Sequence, residues 1–369
     1  MNFDSLYRTI IAAYATVPKT LFKGYAFPPL QVFIELTRRC NLRCAMCQNM
    51  PYMDRMSVRE EKEQELTFDE LKRIIGETPR FSLITFTGGE PLVRDDFAEI
   101  LGWTAAMRRC HVITNGVLLD GEIAELMVRS AARHLFGKGL VFVGVSIHGP
   151  AEVHDRITGV EGCYARVAGG AGKLAEMKAA AGSKLPFLYV CVVLTSATVE
   201  TLPEMPDIVR SMSADVLNIA LHNTSLDLSI VDGATMETMF KRPGAPDPIE
   251  KEVLKAKLSE TLRRAAQLGI QVRLPRMPIS KIIGYYEGKW DGSGYRCNTA
   301  WTKTLISPQG KVYPCHQFET GNLREGSLKA IWNSAQYRRF RQALRRHSVF
   351  PICAGCCEIE HASKEDGEA

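Results

Sequence analysis

The chain has 369 residues, 46% hydrophobic and 24% charged, which are ordinary proportions for one large globular domain with a smaller one beside it. A net charge of +5, with no basic run interleaved with aromatics, gives no footing for nucleic-acid binding. The 11 cysteines are too sparse for a disulfide-stapled secreted fold, and eight of them fall in two groups, 40 to 47 and 297 to 357, a distribution that reads as metal ligation.

Residues 1–30 form an amphipathic arm in which Leu6, Ile10, Ile11 and Tyr14 recur at helical spacing. Such an arm packs on the body or makes a peripheral contact with a membrane surface. "IIAAYA" (10–15) is short for a signal core and Asp4 precedes it, so the expected location is cytoplasmic. No apolar run reaches transmembrane length.

From 31 to 223 short β-rich runs alternate with helical ones. "QVFIELT" (31–37), "LITFTG" (83–88), "HVITNG" (111–116), "LVFVGVSI" (140–147), "FLYVCVVL" (187–194) and "VLNIALH" (216–222) read as strands of a parallel sheet covered on both sides. Between them lie "TFDELKRII", opened by a Thr67/Glu70 capping box, "DDFAEILGWTAAMRR", "GEIAELMVRSAARHL" and "YARVAGGAGKLAEMKAAA". Six such units predict an α/β fold, a partial (β/α)6 TIM-like barrel with its function at the C-terminal strand ends. Residues 224–290 read as a connecting segment with one long helix over 248–268, with Asp247 as N-cap, Pro248 at N1 and Gly269 just past the end. A small Cys-rich α+β module follows over 291–358, then a solvated tail, 359–369.

The first strand runs directly into "TRRCNLRCAMCQ" (37–48), which sets Cys40, Cys44 and Cys47 on one loop. Structural zinc takes four protein ligands, whereas three thiolates suit a [4Fe-4S] cluster with one iron open. The C-x3-C-x2-C spacing after a barrel strand resembles that of the radical S-adenosylmethionine (SAM) superfamily. The resemblance implies that the open iron chelates SAM and that an electron from the cluster splits the cofactor to a 5′-deoxyadenosyl radical. "TFTGGEPL" at the end of the second strand strengthens it: Gly88, Gly89, Glu90 and Pro91 match the family segment that contacts the methionyl amino group. Ser146 in "VSIHGP" matches the ribose-contacting position, and Asn115 in "TNG" faces the same site. Met46 stands where relatives often place an aromatic residue on adenine, and its thioether can serve the same apolar contact. His148, His154 and Asp155 share the loop after the fourth strand, where a histidine near neutrality can bind substrate or transfer a proton.

The second group comprises Cys297, Cys315, Cys353, Cys356 and Cys357. "SPQGKVYPC" reads as a hairpin turning at Pro308 to Gly310 and delivering Cys315 as it exits. The C-x12-G-x4-C pattern, "GNLREGSLKAIWNS" and the closing C-x2-C resemble the auxiliary-cluster module called SPASM, or its shorter relative, twitch. Five thiols imply one auxiliary [4Fe-4S] cluster on Cys297, Cys315, Cys353 and Cys356, with Cys357 as a possible substitute; structural zinc on the same four is the competing reading. Cys110, Cys163 and Cys191 read as small core residues. The stretch "YRRFRQALRR" (337–346) reads as a solvated helix face that can meet an acidic reductant such as flavodoxin or ferredoxin.

The resemblance thus implies a radical SAM oxidoreductase or modifying enzyme. A small-molecule substrate leads, because about thirty residues before the first strand are too few for a leader-binding domain of the kind carried by peptide-modifying relatives. A peptide stands second and a lipid-linked substrate third. The reading from another class is a non-catalytic iron–sulfur or zinc-binding electron-transfer protein.

Overall fold

The computed structural model describes residues 3–224, 235–315 and 318–362, with side chains from residue 11 onward. The end of the expected tail, 363–369, and part of the connecting segment, 225–234, lie outside the described residues. Twelve strands occur among those described: β1 (Gln31–Thr37), β2 (Leu83–Gly88), β3 (Arg109–Thr114), β4 (Gly139–Ser146), β5 (Phe187–Leu194), β6 (Val216–Leu221), β7 (Gln271–Arg273), β8 (Tyr295–Arg296), β9 (Lys303–Ile306), β10 (Lys311–Tyr313), β11 (Gly321–Asn322) and β12 (Glu360–His361). Ten of them make one sheet in the order β11-β10-β9-β1-β2-β3-β4-β5-β6-β7. The six expected strands stand side by side and in parallel, with β7 added in parallel to β6 and β9 in parallel to β1.

The sheet is amphipathic along each strand. Val32, Ile34, Ile84, Phe86, Leu188, Val190 and Val192 are fully buried under the helices. On the opposite, concave face, burial falls on every second residue of β5, leaving Tyr189, Cys191 and Val193 only partly covered. The near-continuous apolar runs therefore cover one helix-packed face and one face that lines an interior with space in it. This differs from a sheet sealed on both sides, and the alternation of strand side chains is the reason.

Local signals set most boundaries. The Thr67/Glu70 capping box is formed at the helix Phe68–Glu77. The long connecting helix runs Lys251–Leu268 and ends at Gly269, which is left-handed (φ 68°), as expected. Its start lies three residues later than Asp247 and Pro248 suggest, because the Glu250 carboxylate accepts from the backbone N–H groups of Glu252 and Val253 and takes over the cap. The helix Gly121–Arg129 stops short of the expected span because the next residues join β4: Ala132 N donates to Leu140 O and Leu140 N to Ser130 O.

Three connections seat the Cys-rich module on the barrel. The hairpin β9–β10 extends the main sheet at β1. The chain after Cys357 crosses from β9, through a Lys303–Glu358 ion pair (2.7 Å), to the end of β7, where His361 N donates to Arg276 O (2.8 Å). The N-terminal helix Phe3–Leu21 packs on the module, where Lys19 Nζ donates to Cys297 O (3.3 Å) over the Trp301 ring, and it is tied to the segment leading into β1 by Tyr14 Oη donating to Pro28 O (2.7 Å). No helix among the described residues is long and apolar enough to cross a membrane.

Arg341 fastens these parts together. The stretch 337–346 was expected to be a solvated face, and Arg339, Arg345 and Arg346 are exposed, but Arg341 is fully buried. Its guanidinium lies between Trp332 and Tyr337 (4.3 and 4.2 Å to the ring centroids) and donates to Ala300 O, Gly24 O and Asn333 Oδ1. Stranding two buried carbonyls costs roughly 1–3 kcal/mol each, so Arg341→Met is expected to destabilise the protein by about 3 kcal/mol in guanidinium unfolding. Arg345→Met, on the exposed face, is expected to change it by less than about 0.5 kcal/mol; equal effects would contradict this role of Arg341.

Candidate active site

The C-terminal ends of the strands converge on the loop that follows β1. Gly89 N donates to Thr37 O (2.8 Å) and Glu90 N to Arg39 O (2.9 Å), lacing the end of β2 to the cysteine loop. A Cβ at Gly88 (φ 130°) would fall on the Thr37 carbonyl oxygen, and one at Gly89 on that of Arg39. The glycine pair, which in the sequence suggests room for a ligand, thus gives β2 the close approach it needs to the loop that carries Cys40, Cys44 and Cys47.

Those three thiols are partly buried, and two of them, Cys40 and Cys47, are already supplied with donors. Leu42 N points at Cys40 Sγ (3.4 Å), Asn49 N at Cys47 Sγ (3.4 Å), and Asn115 Nδ2 reaches Cys40 Sγ (3.6 Å) and Asn41 Oδ1 (2.8 Å). Burial pushes Cys40 up to about 11 and Cys44 up to about 12, with added repulsion among the three, and burial also raises Cys47. Thiols that repel one another as thiolates, on a loop whose N–H groups favour the anion, fit an iron–sulfur cluster that supplies the missing positive charge. Among the described residues no three Cys, His, Asp or Glu side chains are gathered for a single metal ion.

Glu90 is fully buried, and its carboxylate accepts from Leu92 N (2.9 Å), Thr114 Oγ1 (2.7 Å) and Asn115 N (2.6 Å). Burial still raises it to about 7. It therefore joins the ends of β2 and β3 and sets the backbone of Asn115, whose side chain meets Cys40. Ser146 ends β4, partly covered on the concave face, with Cys191 as its β5 neighbour.

Beyond β4 the three loop residues part company. His148 N donates to His154 Nδ1 (3.2 Å) and the rings stack at 5.7 Å. Burial lowers them to about 3 and about 4, so both are neutral, and His148 Nδ1 and His154 Nε2 are buried without a hydrogen-bond partner among the described residues. Asp155 turns away, accepting from Gly162 N (2.6 Å) and Tyr164 N (2.7 Å) to close the next turn. The helix Ala151–Thr158 that carries His154 and Asp155 is tied to the cysteine loop through Ala45 N and Ile157 O (3.0 Å).

Sequence reasoning passed over two residues here. His222, just past β6, donates from its backbone N to Tyr286 Oη (3.2 Å), and Tyr285 Oη donates to His222 O (2.6 Å). Position at a strand's C-terminal end would have flagged His222; nothing local marks Tyr285, on the helix Ile279–Tyr286.

In the second group, burial raises Cys297 and Cys353, and repulsion from Cys297 and Cys315 adds to Cys353. Cys356, partly buried, is raised by donating to Cys357 and by burial, and its sulfur accepts from Glu358 N (3.5 Å). Cys357 is exposed, whereas Cys297 is buried and Cys315, Cys353 and Cys356 are partly buried. Gly355 lies against Tyr285, where a Cβ would meet the phenol ring. All five thiols line a cavity of about 250 Å³ together with Phe33, Thr87 and Ile113 of the barrel.

Residues 34–205 match the family described as Radical SAM superfamily, and residues 297–357 match SPASM, an iron-sulfur cluster-binding domain. The chain is 30% identical to a PqqA peptide cyclase of Rhodopseudomonas palustris over 85% of this chain and 76% of that protein. It is 26% identical to an AdoMet-dependent heme synthase of Methanosarcina barkeri over 92% of this chain and 94% of that protein. The fold is similar to that of Streptococcus suis SuiB bound to S-adenosylmethionine, with a TM-score of 0.62, 17% identity, and coverage of 92% of this chain and 74% of that one.

Gly89→Ala is expected to force the cysteine loop off β2, so that anaerobic reconstitution yields about four irons in place of about eight. Gly76→Ala, whose Cβ meets nothing within 4 Å, is expected to keep the full count; full iron loading of Gly89→Ala would show that the close approach is dispensable.

Proposed function

As the chain belongs to the radical SAM superfamily and carries a SPASM module, we propose that it is an enzyme that oxidatively modifies a peptide, removing hydrogen from a substrate C–H held in the barrel beside the auxiliary site. When bound, S-adenosylmethionine and the first [4Fe-4S] cluster supply a 5′-deoxyadenosyl radical that takes the hydrogen, and the auxiliary cluster supplies an electron acceptor or an anchor. The observation that carries the reading is the shared cavity, whose lining joins Phe33, Thr87 and Ile113 of the barrel to the auxiliary cysteines. The peptide class rests on the likeness to PqqA peptide cyclases over 85% of this chain. The small-molecule reading keeps one specific support, the heme synthase matched over 94% of its length.

In this reading Cys40, Cys44 and Cys47 hold the first cluster, and the N–H groups of Leu42, Asn49 and Asn115 orient the thiolates. Glu90 holds Asn115 in place from its buried position between β2 and β3. Gly88, Gly89 and Pro91 shape the methionyl side of the cofactor site, Ser146 meets the ribose and Met46 packs on the adenine. The neutral His148 ring presents its buried Nδ1 as a group that can accept a proton released from the oxidised substrate, whereas His154, whose Nδ1 accepts from His148 N, carries its hydrogen on Nε2 and donates there. Asp155 acts as a loop-closing residue. Cys297, Cys315, Cys353 and Cys356 hold the auxiliary cluster, with an acidic flavodoxin- or ferredoxin-type reductant meeting the exposed Arg339, Arg345 and Arg346.

Under dithionite with S-adenosylmethionine, the reconstituted protein is expected to release 5′-deoxyadenosine, measured by liquid chromatography and mass spectrometry. Cys44→Ala is expected to abolish that release, whereas Cys315→Ala retains it while lowering the iron count from about eight to about four. Equal loss of cleavage in both variants would sink the division between a radical-generating site and an auxiliary one.

A further inference from the structure

Below the strand ends, the concave face carries a polar layer that no step above uses. Gln31 Nε2 donates to Thr85 Oγ1 (2.8 Å), Thr85 Oγ1 lies 3.3 Å from His111 Nδ1, and His111 Nε2 is hydrogen-bonded to Tyr189 Oη. The chain of contacts crosses from β1 through β2 and β3 to β5, skipping β4. It can skip β4 because Gly144 has no side chain: a Cβ there would stand 2.5 Å from the Tyr189 ring. Gly144 is the β4 residue paired with Tyr189.

The layer has a direction. Gln31 Nε2–H donates a hydrogen bond to Thr85 Oγ1, so the Thr85 hydroxyl hydrogen is available to His111 Nδ1. His111 is neutral, since burial lowers it to about 3, with the nearby Arg273 and Lys303 charges adding to the effect. Its one N–H is then on Nε2 and donates to the Tyr189 oxygen, leaving the phenol hydrogen to donate outward. Burial raises Tyr189 well above its ordinary range, so it keeps that hydrogen.

Arg273 stands on the same face. It is the register partner of Asn218, itself the partner of Cys191 on β5, and its charge reaches His111, Tyr189 and Cys191. The neighbouring cations are engaged: Lys303 with Glu358 (2.7 Å) and Arg276 with Glu360 (2.8 Å). Arg273 is exposed, and among the described residues it has neither ion pair nor hydrogen bond.

A guanidinium with five donors, on the same concave face two strands from a phenol oriented as a donor, makes a site for a group that only accepts. We propose that Arg273 and Tyr189 form a carboxylate-binding subsite on the barrel floor, and that the substrate is anchored there by a carboxylate below the radical site. This rests on the peptide-modifying reading above and narrows it to peptides bearing an acidic side chain. The Gln31–Thr85–His111 chain is the positioning device that keeps Tyr189 a donor.

The test uses two short amidated peptides, one carrying a single glutamate and its glutamine isostere, titrated calorimetrically into the reconstituted holoenzyme with S-adenosylmethionine present. The glutamate peptide is expected to bind about ten- to a hundredfold more tightly than the glutamine peptide, the difference that hydrogen bonds to a charged group supply. Arg273→Gln is expected to erase that preference without lowering the thermal midpoint of the unliganded protein, since Arg273 holds no structural partner. Tyr189→Phe is expected to reduce it, and Arg276→Gln to leave it intact. Equal binding of the two peptides, binding of neither, or a preference that survives Arg273→Gln overturns the subsite. Absence of 5′-deoxyadenosine release by the wild-type protein would instead overturn the functional reading on which it stands.

Discussion

Everything at the catalytic end depends on how closely the end of β2 can approach the cysteine loop. Two backbone bonds, Gly89 N to Thr37 O and Glu90 N to Arg39 O, draw the two segments together at a separation no side chain would permit. Glu90 then reaches across to β3 and fixes Asn115, which returns to Cys40. The loop that carries three thiols is therefore held from behind by backbone and from the side by a buried carboxylate. A cluster-binding loop gains from such support because its ligands must converge without one another's help: as thiolates they repel.

Burial governs the charge state of the interior more than pairing does. His111, His148 and His154 are all pushed well below neutrality, and the Cys40 and Cys44 thiols are pushed upward. Each neutral imidazole becomes a directional group with one donor and one acceptor. In His111 that directionality is passed to Tyr189; in the His148–His154 pair it leaves two nitrogens near the strand ends without partners among the described residues. Arg273, by contrast, is exposed at the end of β7, so its charge is hydrated and open to a ligand.

The Cys-rich module is part of the barrel wall as much as a second domain. Its hairpin continues the sheet from β1, and its last residues pass from Lys303 to Arg276 across the side that the parallel strands leave open. Arg341 and the N-terminal helix clamp it from behind. Gly355 against Tyr285 and Tyr285 to His222 tie the C-terminal cysteine loop to the end of β6. The barrel residues Phe33, Thr87 and Ile113 and the C-terminal cysteines share one cavity as a result.

Sequence alone determined the features that rest on local chemistry. The strands QVFIELT, LITFTG and FLYVCVVL stand where their apolar runs lie, the Thr67/Glu70 box caps its helix, and the spacing of Cys40, Cys44 and Cys47 already named the cofactor chemistry of the family. What remained hidden involves residues far apart in the chain, because long-range contacts leave no periodicity to read. Nothing near Arg341 shows that it would be buried between Trp332 and Tyr337, and nothing near Glu90 that its carboxylate would face Asn115 and Thr114. Likewise, Gln31, Thr85, His111, Tyr189 and Arg273 sit on five strands spread over more than two hundred residues. Only the parallel register of the sheet, which turns every second side chain to the concave face, brings them to one floor.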